Sequence, residues 1–220
     1  MKIGVEVNGV LRDTIGKLIQ VYEKFLIDKN EEIESETFEM SENSDELVQV
    51  KTQDKFKYEI IEPIDTLNID SHFKFQNKEE QFEFFYEEFP MHIFGHAPST
   101  EMTSFNYFND FYTNFRNEND IWIISDEIGK SKPSTLFFLS KFGCLIENIT
   151  FYNTVTSDKI LSSFDLIVTS NPDIIINYSD RLKVIKFETA YNKQVEAEHT
   201  ITSLKQLPET LNKIQNAEII

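Results

Sequence analysis

Short, almost uninterrupted apolar runs are the feature that most restricts how this chain can fold. They are rich in Val, Ile, Leu and Phe, and they are spread along the chain rather than clustered. Runs of about 4–8 such residues are typical of strands buried on both faces, as in a parallel sheet covered by helices on both sides. The predicted strands are residues 2–7, 120–125, 148–153, 165–170 and 182–188.

The stretches between these runs show helical patterning. In residues 15–28, apolar side chains recur at helical spacing and form one stripe. Alternation of strands and helices favours an α/β fold, here a three-layer, Rossmann-like parallel sheet flanked by helices. The other predicted helices are residues 103–117, 132–143 and 201–214, with a turn and a short helix at 171–179.

A segment of different character interrupts this alternation after the first helix. Residues 30–46 are strongly acidic with scattered apolar positions, which predicts an exposed or mobile stretch with some short helix. Residues 77–89 show a helical pattern, and Phe84 falls off its apolar face. We therefore predict a core domain at residues 1–28 and 96–220, with a small, mainly helical cap-like insertion at residues 29–95.

The composition narrows the classes of partner. A formal net charge of −17 repels a phosphate backbone over most of the surface, so direct nucleic-acid binding is not expected. Without a signal-peptide pattern or an apolar run of about 18 residues, we expect a cytoplasmic protein with no membrane span. The single cysteine, Cys144, excludes an internal disulfide and is expected to be an inert core residue. His92 and His96 have the spacing of helical metal ligands but lack an evident third ligand, so no metal site is predicted there.

Polar side chains follow several of the predicted strands. In an open parallel sheet, ligands bind at the carboxyl ends of the strands, so these side chains are the candidate site. Glu6 and Asn8 follow the first strand, and Ser125 ends the second. Asp126 and Glu127 would repel an anion if they pointed inward, so we expect them to lie outside the pocket or to cap a helix.

The order and spacing of these strand ends resemble the haloacid dehalogenase superfamily, and within it the 5′(3′)-deoxyribonucleotidase-like branch found in many phages and bacteria. The first motif of the family reads DxDGT or DxDGV, and residues 6–10 here read EVNGV. The other motif positions fall on Ser125, on Lys132 or alternatively Lys130, and on Thr169 and Ser170.

The resemblance implies a mechanism that these residues do not match. In the family, the first aspartate attacks phosphorus, the second transfers protons, and both help an acidic pair to hold one Mg²⁺. Here Glu6 is one methylene longer, Asn8 cannot transfer a proton, and the acidic pair is replaced by hydroxyls. We therefore expect a catalytically degenerate member with no catalytic residue, metal or cofactor. Ser125 and Lys132 are the candidates for a residual phosphate-binding pocket.

The sequence leaves three functions open. The first is a non-catalytic domain with a structural or protein-interaction role in a homo- or hetero-oligomeric assembly. The phage resemblance and a composition typical of AT-rich genomes suggest a virion or assembly component, in the particle or the host cytoplasm. The second is a Mg²⁺-dependent 5′(3′)-deoxyribonucleotidase, and the third is a regulator that binds a nucleotide or phosphate without turnover. The candidate contact surface is aromatic: Phe82, Phe84, Phe85, Tyr86, Phe89 and Phe94.

Overall fold

The apolar runs form the strands of one parallel sheet, which confirms the predicted α/β architecture. The structure is a computed structural model that describes the backbone of residues 1–42 and 56–217 and the side chains of residues 1–31 and 56–217. The strands are β1 (Lys2–Glu6), β2 (Asp120–Asp126), β3 (Ile149–Tyr152), β4 (Leu166–Thr169), β5 (Lys183–Phe187) and β6 (His199–Ile201). The 6-stranded sheet has the order β3-β2-β1-β4-β5-β6, so the strand order reverses between β1 and β4.

Helices cover both faces of this sheet because the strand side chains alternate between them. The helices are α1 (Thr14–Glu42), α2 (Ile69–His72), α3 (Lys78–Glu83), α4 (Ser104–Phe115), α5 (Ser131–Lys141), α6 (Ser157–Leu161), α7 (Pro172–Tyr178) and α8 (Leu207–Ala217). Ile123 and Val168 belong to a core cluster that includes residues of α4, α5 and α8. Their neighbours Ile124 and Ile167 pack in a second cluster with residues of α6 and α7. No helix in the described part of the chain is long and apolar enough to cross a membrane.

The first helix is longer than its apolar stripe predicts. Helix α1 continues to Glu42, so the backbone of residues 30–42 is continuously helical where an exposed or mobile stretch with some short helix was predicted. The stretch is rich in glutamate, a good helix former, which accounts for the extension. The rest of that acidic stretch, residues 43–46, lies outside the described residues. The division into a core and a cap-like insertion stays a prediction.

Two π-helical turns beside Pro90 correct the helix predicted for residues 77–89. Helix α3 ends at Glu83, and Phe84–Glu88 form a π turn in which the N–H of Phe89 donates to the carbonyl of Phe84 at 3.1 Å. A second π turn spans Met91–Gly95. A π turn adds a residue to the helical repeat and so changes which side chains share a face. Phe84, which falls off the predicted α-helical face, therefore points inward.

Half of the predicted aromatic contact surface is buried in the structure. Phe84, Phe85 and Phe94 are buried, Tyr86 and Phe89 are half-buried, and Phe82 is 47% exposed. The inward rings join an aromatic cluster between α1 and the cap-like segment. The prediction of an exposed contact surface is therefore wrong at Phe84, Phe85 and Phe94, and it stands as a prediction at Phe82, Tyr86 and Phe89. The buried members of the aromatic cluster are Leu18, Val21, Tyr22, Phe25, Tyr58, Phe73, Phe84, Phe85, Ile93 and Phe94.

The carboxyl-terminal region contains a strand where only a helix was predicted. Residues 201–214 divide into the end of β6, a 3₁₀ turn at Leu204–Gln206, and α8. Ile201 is paired with Phe187 of β5, so the first residue of the predicted helix belongs to the sheet. The side chain of Ser203 then accepts a hydrogen bond from the N–H of Lys205 at 3.2 Å and begins the new turn.

Candidate functional site

The candidate site lies where the strand order of the sheet reverses. β1 ends at Glu6, between Ile124 of β2 and the carboxyl end of β4 at Thr169. Ligands of open parallel sheets bind outside the carboxyl ends of the strands at this reversal point. Here we call Glu6, Asn8, Arg12, Ser125, Glu127, Thr169 and Ser170 the strand-end cluster.

Glu6, the first residue of the EVNGV motif, is enclosed and hydrogen-bonded. It is 2% exposed. One carboxyl oxygen accepts from the hydroxyl of Tyr152 at 2.6 Å, and the other accepts from the hydroxyl of Thr169. Burial raises the pKa of Glu6 to about 7, although both hydrogen bonds act in the opposite direction. A neutral or charged Glu6 is therefore held by its own neighbours rather than presented to a substrate.

The turn after β1 is closed by polar contacts around Asn8 and Gly9. The Asn8 side-chain oxygen accepts from the guanidinium of Arg12 at 2.6 Å and from the hydroxyl of Thr14 at 2.7 Å. The hydroxyl of Ser170 donates to the Asn8 carbonyl at 3.0 Å and lies 2.9 Å from that of Tyr191. Gly9 has φ +72°, and a Cβ there would lie 2.0 Å from the Tyr191 hydroxyl, so only glycine fits.

Arg12 is the central cation of the cluster, and the sequence reasoning missed it. It is 0% exposed, and all five of its N–H donors are used. The guanidinium also lies over the rings of Phe94 and Phe138, at 5.1 and 5.3 Å from their centroids. Arg12 lies in a loop and belongs to no recognisable motif, so no signal in the sequence indicates that it is buried. A fully buried cation requires an acceptor. The acceptors of Arg12 are Asn8, Thr14, Phe94, Glu127 and Thr135.

Glu127 points into the cluster, which corrects the expectation that it lies outside. It is 1% exposed and forms a buried ion pair with Arg12. The same carboxyl oxygen, Oε1, also accepts from Thr135 at 2.5 Å and from Ser125 at 3.2 Å. Burial raises the pKa of Glu127 and lowers that of Arg12, and the attraction between them opposes both changes. Arg12 supplies the positive charge that a buried, inward-facing Glu127 requires. An outward Glu127 was expected because the sequence does not reveal this pairing. Asp126 is exposed, as expected.

The two candidate lysines lie on α5 or just before it, in different surroundings. Lys130 pairs with Glu87 at 2.5 Å, and both side chains are substantially exposed, so this lysine faces the cap-like segment. The ammonium of Lys132 lies 5.7 Å from the ring centroid of Phe151, on β3. Ser125 is fully buried, and its hydroxyl is already directed at Glu127.

The donors present do not fit a Mg²⁺ site. Mg²⁺ prefers one or two carboxylates with water and phosphate oxygens in an octahedron. Glu6 is the one carboxylate at the end of β1, both its oxygens are occupied by hydroxyl donors, and the Asn8 oxygen already faces a guanidinium. Across residues 1–31 and 56–217, no group of three or more His, Cys, Asp and Glu side chains could hold a metal ion. The His92 and His96 rings lie 6.2 Å apart at the second π turn.

An open cleft of about 670 Å³ lies beside Gly9 and is strongly acidic. Its described lining includes four carboxylates and no lysine or arginine. Such a cleft repels phosphate groups rather than concentrating them. The carboxylates are those of Asp13, Glu62, Glu101 and Glu188.

Comparison with solved structures supports the fold. A protein of Burkholderia xenovorans LB400 assigned as a haloacid dehalogenase-like hydrolase superposes with a TM-score of 0.54 over 96% of each chain, at 10% sequence identity. A likeness at this identity shows a shared fold and leaves the chemistry open. No protein-family model matches the chain, and no curated protein is similar to it in sequence.

Proposed function

We propose that this chain is a haloacid dehalogenase-like domain that no longer acts as a phosphatase and works through contacts with other proteins. The observation that carries the proposal is the filled strand-end cluster. A guanidinium and a carboxylate of the chain itself, Arg12 and Glu127, meet where a phosphatase of this fold needs an open, Mg²⁺-loaded pocket.

The individual positions support the same conclusion. Asn8 has no proton to transfer, and its oxygen is held by Arg12 and Thr14. Thr169 and Ser170 bring hydroxyls where the family places the second pair of metal-binding carboxylates, and they hydrogen-bond Glu6 and Asn8 instead. Without the proton donor and the metal ligands, the chain lacks both the proton transfer and the metal-assisted stabilisation that phosphoryl transfer requires.

The kind of partner follows from charge and from the remaining exposed side chains. A net charge of −17 favours a basic protein surface over nucleic acid. Phe82 is a large apolar side chain that remains exposed on the cap-like segment. The sequence resemblance to the nucleotidase-like branch of phages supports a structural or assembly role, in the virion or in the host cytoplasm, as part of a homo- or hetero-oligomer.

An active 5′(3′)-deoxyribonucleotidase with Glu6 as nucleophile is the competing function, and a nucleotide-binding regulator is the third. The test is Mg²⁺-dependent phosphate release from deoxyribonucleoside monophosphates by the purified chain and by its Glu6→Ala variant. We expect both proteins to remain at the uncatalysed background. Turnover by the unaltered chain that disappears in Glu6→Ala would overturn the proposal.

A binding measurement separates the remaining possibilities. Titration calorimetry with a deoxyribonucleoside monophosphate, with and without Mg²⁺, should show no heat of binding. Saturable binding without turnover would replace the proposal with the regulatory function. The assembly role is tested by mass spectrometry of phage particles from the source organism, in which the chain should appear at a fixed ratio to the capsid proteins.

A further inference from the structure

A single carboxyl oxygen of Glu127 receives three hydrogen bonds from three different parts of the chain. Arg12 follows β1, Ser125 lies within β2, and Thr135 lies on α5. All three donors are fully buried. Converging charged and hydroxyl donors of this kind form the geometry by which proteins hold an oxyanion.

The guanidinium is the strongest element of this arrangement. Arginine presents its donors in a rigid planar fork that matches carboxylate and phosphate oxygens. The fork of Arg12 is fixed from its other side by Asn8, Thr14 and the Phe94 carbonyl, so its orientation does not depend on Glu127 alone. A donor set that is positioned independently of its acceptor can accept another acceptor of the same charge.

Only one of the two carboxylate oxygens of Glu127 contacts these donors. Glu127 Oε1 takes all three hydrogen bonds, whereas Oε2 is buried without a hydrogen-bond partner among the described residues. A buried, unpaired carboxylate oxygen is unfavourable. All three donors are therefore used, whereas one oxygen of their acceptor is left unpaired.

We infer that Arg12, Ser125 and Thr135 form an oxyanion-binding cradle that the chain fills with its own Glu127. When the Glu127 carboxylate is removed, the cradle binds a small free oxyanion, either a carboxylate such as formate or acetate, or inorganic phosphate. The inference deepens the proposed function and rests on it in one respect: a working phosphatase would need this cradle open to its substrate.

The test is chemical rescue of Glu127→Ala, which removes the atoms of one acetate ion. The melting temperature of the variant is measured against formate, acetate and inorganic phosphate, with chloride at equal ionic strength as the reference. We expect a saturable upward shift of several degrees with at least one oxyanion, since a ligand that binds only the folded state stabilises it. The unaltered chain and the isosteric Glu127→Gln variant, in which the space stays filled, should show no such shift.

The double variant Arg12→Met, Glu127→Ala removes the cation and should lose the rescue. If Glu127→Ala does not fold in chloride, it is refolded in each oxyanion, and recovery in formate, acetate or phosphate but not in chloride supports the cradle. Equal responses of Glu127→Ala and the unaltered chain, or no recovery in any oxyanion, would overturn the inference. Phosphatase turnover by the unaltered chain would instead contradict the proposed function. The rescue assay does not measure turnover, so the two failures can be told apart.

Discussion

Two buried regions of this protein are held together by different physics. The strand-end cluster buries charges and hydrogen-bonding groups, and its contacts are short and directional. The aromatic cluster buries rings, with centroid separations such as 5.0 Å between Phe25 and Phe84 and 5.2 Å between Tyr22 and Phe73. Loss of a charged partner is costly in the first region, whereas the second depends mainly on the area and volume it fills.

This difference determines how each region responds to substitution. A ring can be exchanged for another apolar group at modest cost. A buried carboxylate must gain a cation, a proton or a set of donors whenever its surroundings change. Glu6 has hydroxyl donors and a raised pKa, and Glu127 has Arg12, so each carboxylate is accommodated by a different means.

The largest effect should come from breaking the buried ion pair. Arg12→Met leaves the Glu127 carboxylate buried without its cation, and we expect a loss of about 3–5 kcal/mol in the free energy of unfolding. Adding Glu127→Leu should restore most of it, because an apolar pair of similar volume avoids the uncompensated charge. Denaturant unfolding of both variants measures the difference.

The exposed arginine Arg116 provides a matched control for the same substitution. Arg116→Met should change the free energy of unfolding by no more than about 0.5 kcal/mol. Equal stabilities of Arg12→Met and Arg116→Met would show that the strand-end cluster does not depend on its cation.

The next effect is a pH dependence caused by Glu6. Its pKa in the folded chain is about 7 against an ordinary value of 4.5, so protonation favours the folded state. The stability from this group is complete below pH 4.5 and is lost as the pH rises to about 7. That loss is on the order of 3 kcal/mol, from about 1.4 kcal/mol for each pKa unit.

Glu6→Gln removes this titration while keeping the shape of the side chain. The Tyr152 and Thr169 hydroxyls can each donate or accept, so both can still bond to the amide. We expect the variant to match the unaltered chain near pH 4.5 and to exceed its stability above pH 7. Parallel curves of unfolding free energy against pH would contradict the assigned pKa.

The smallest effect should come from a ring exchange in the aromatic cluster. Phe84→Leu keeps an apolar side chain in a fully enclosed position and should cost about 1 kcal/mol. Phe82→Leu, at a side chain that is 47% exposed, is the control and should change stability by less than about 0.5 kcal/mol. A loss at Phe84 as large as that of Arg12→Met would remove the distinction between the two regions.

Much of the fold could be predicted from the sequence because it depends on runs of apolar residues. Residues 2–7 and 165–170 match β1 and β4 closely, since strands buried on both faces need no partner information to be recognised. The three-residue strand β6 was missed because its pattern is too short to stand out from a helix start. The π turns beside Pro90 were missed because an α-helical period was assumed for the phenylalanines.

The candidate site was only partly predictable, because its charges are balanced over long distances in the sequence. The sequence predicts Glu6, Asn8 and Ser125 at strand ends; Glu6 ends β1, and Asn8 and Ser125 are linked through Arg12 and Glu127. The pairing of Arg12 with Glu127 joins positions 115 residues apart, and no local pattern reveals it. Without the cation, the natural expectation for Glu127 was an outward side chain.

The Arg12–Glu127 pair also predicts which residues should change together among related sequences. Since either residue alone is costly inside the fold, the two should be gained and lost together during divergence. Sequences descended from a common parent should then fall into two groups: those with both an arginine after the first strand and a glutamate after the second, and those with neither. The two aspartates of the first motif should return only in the group that lacks the pair.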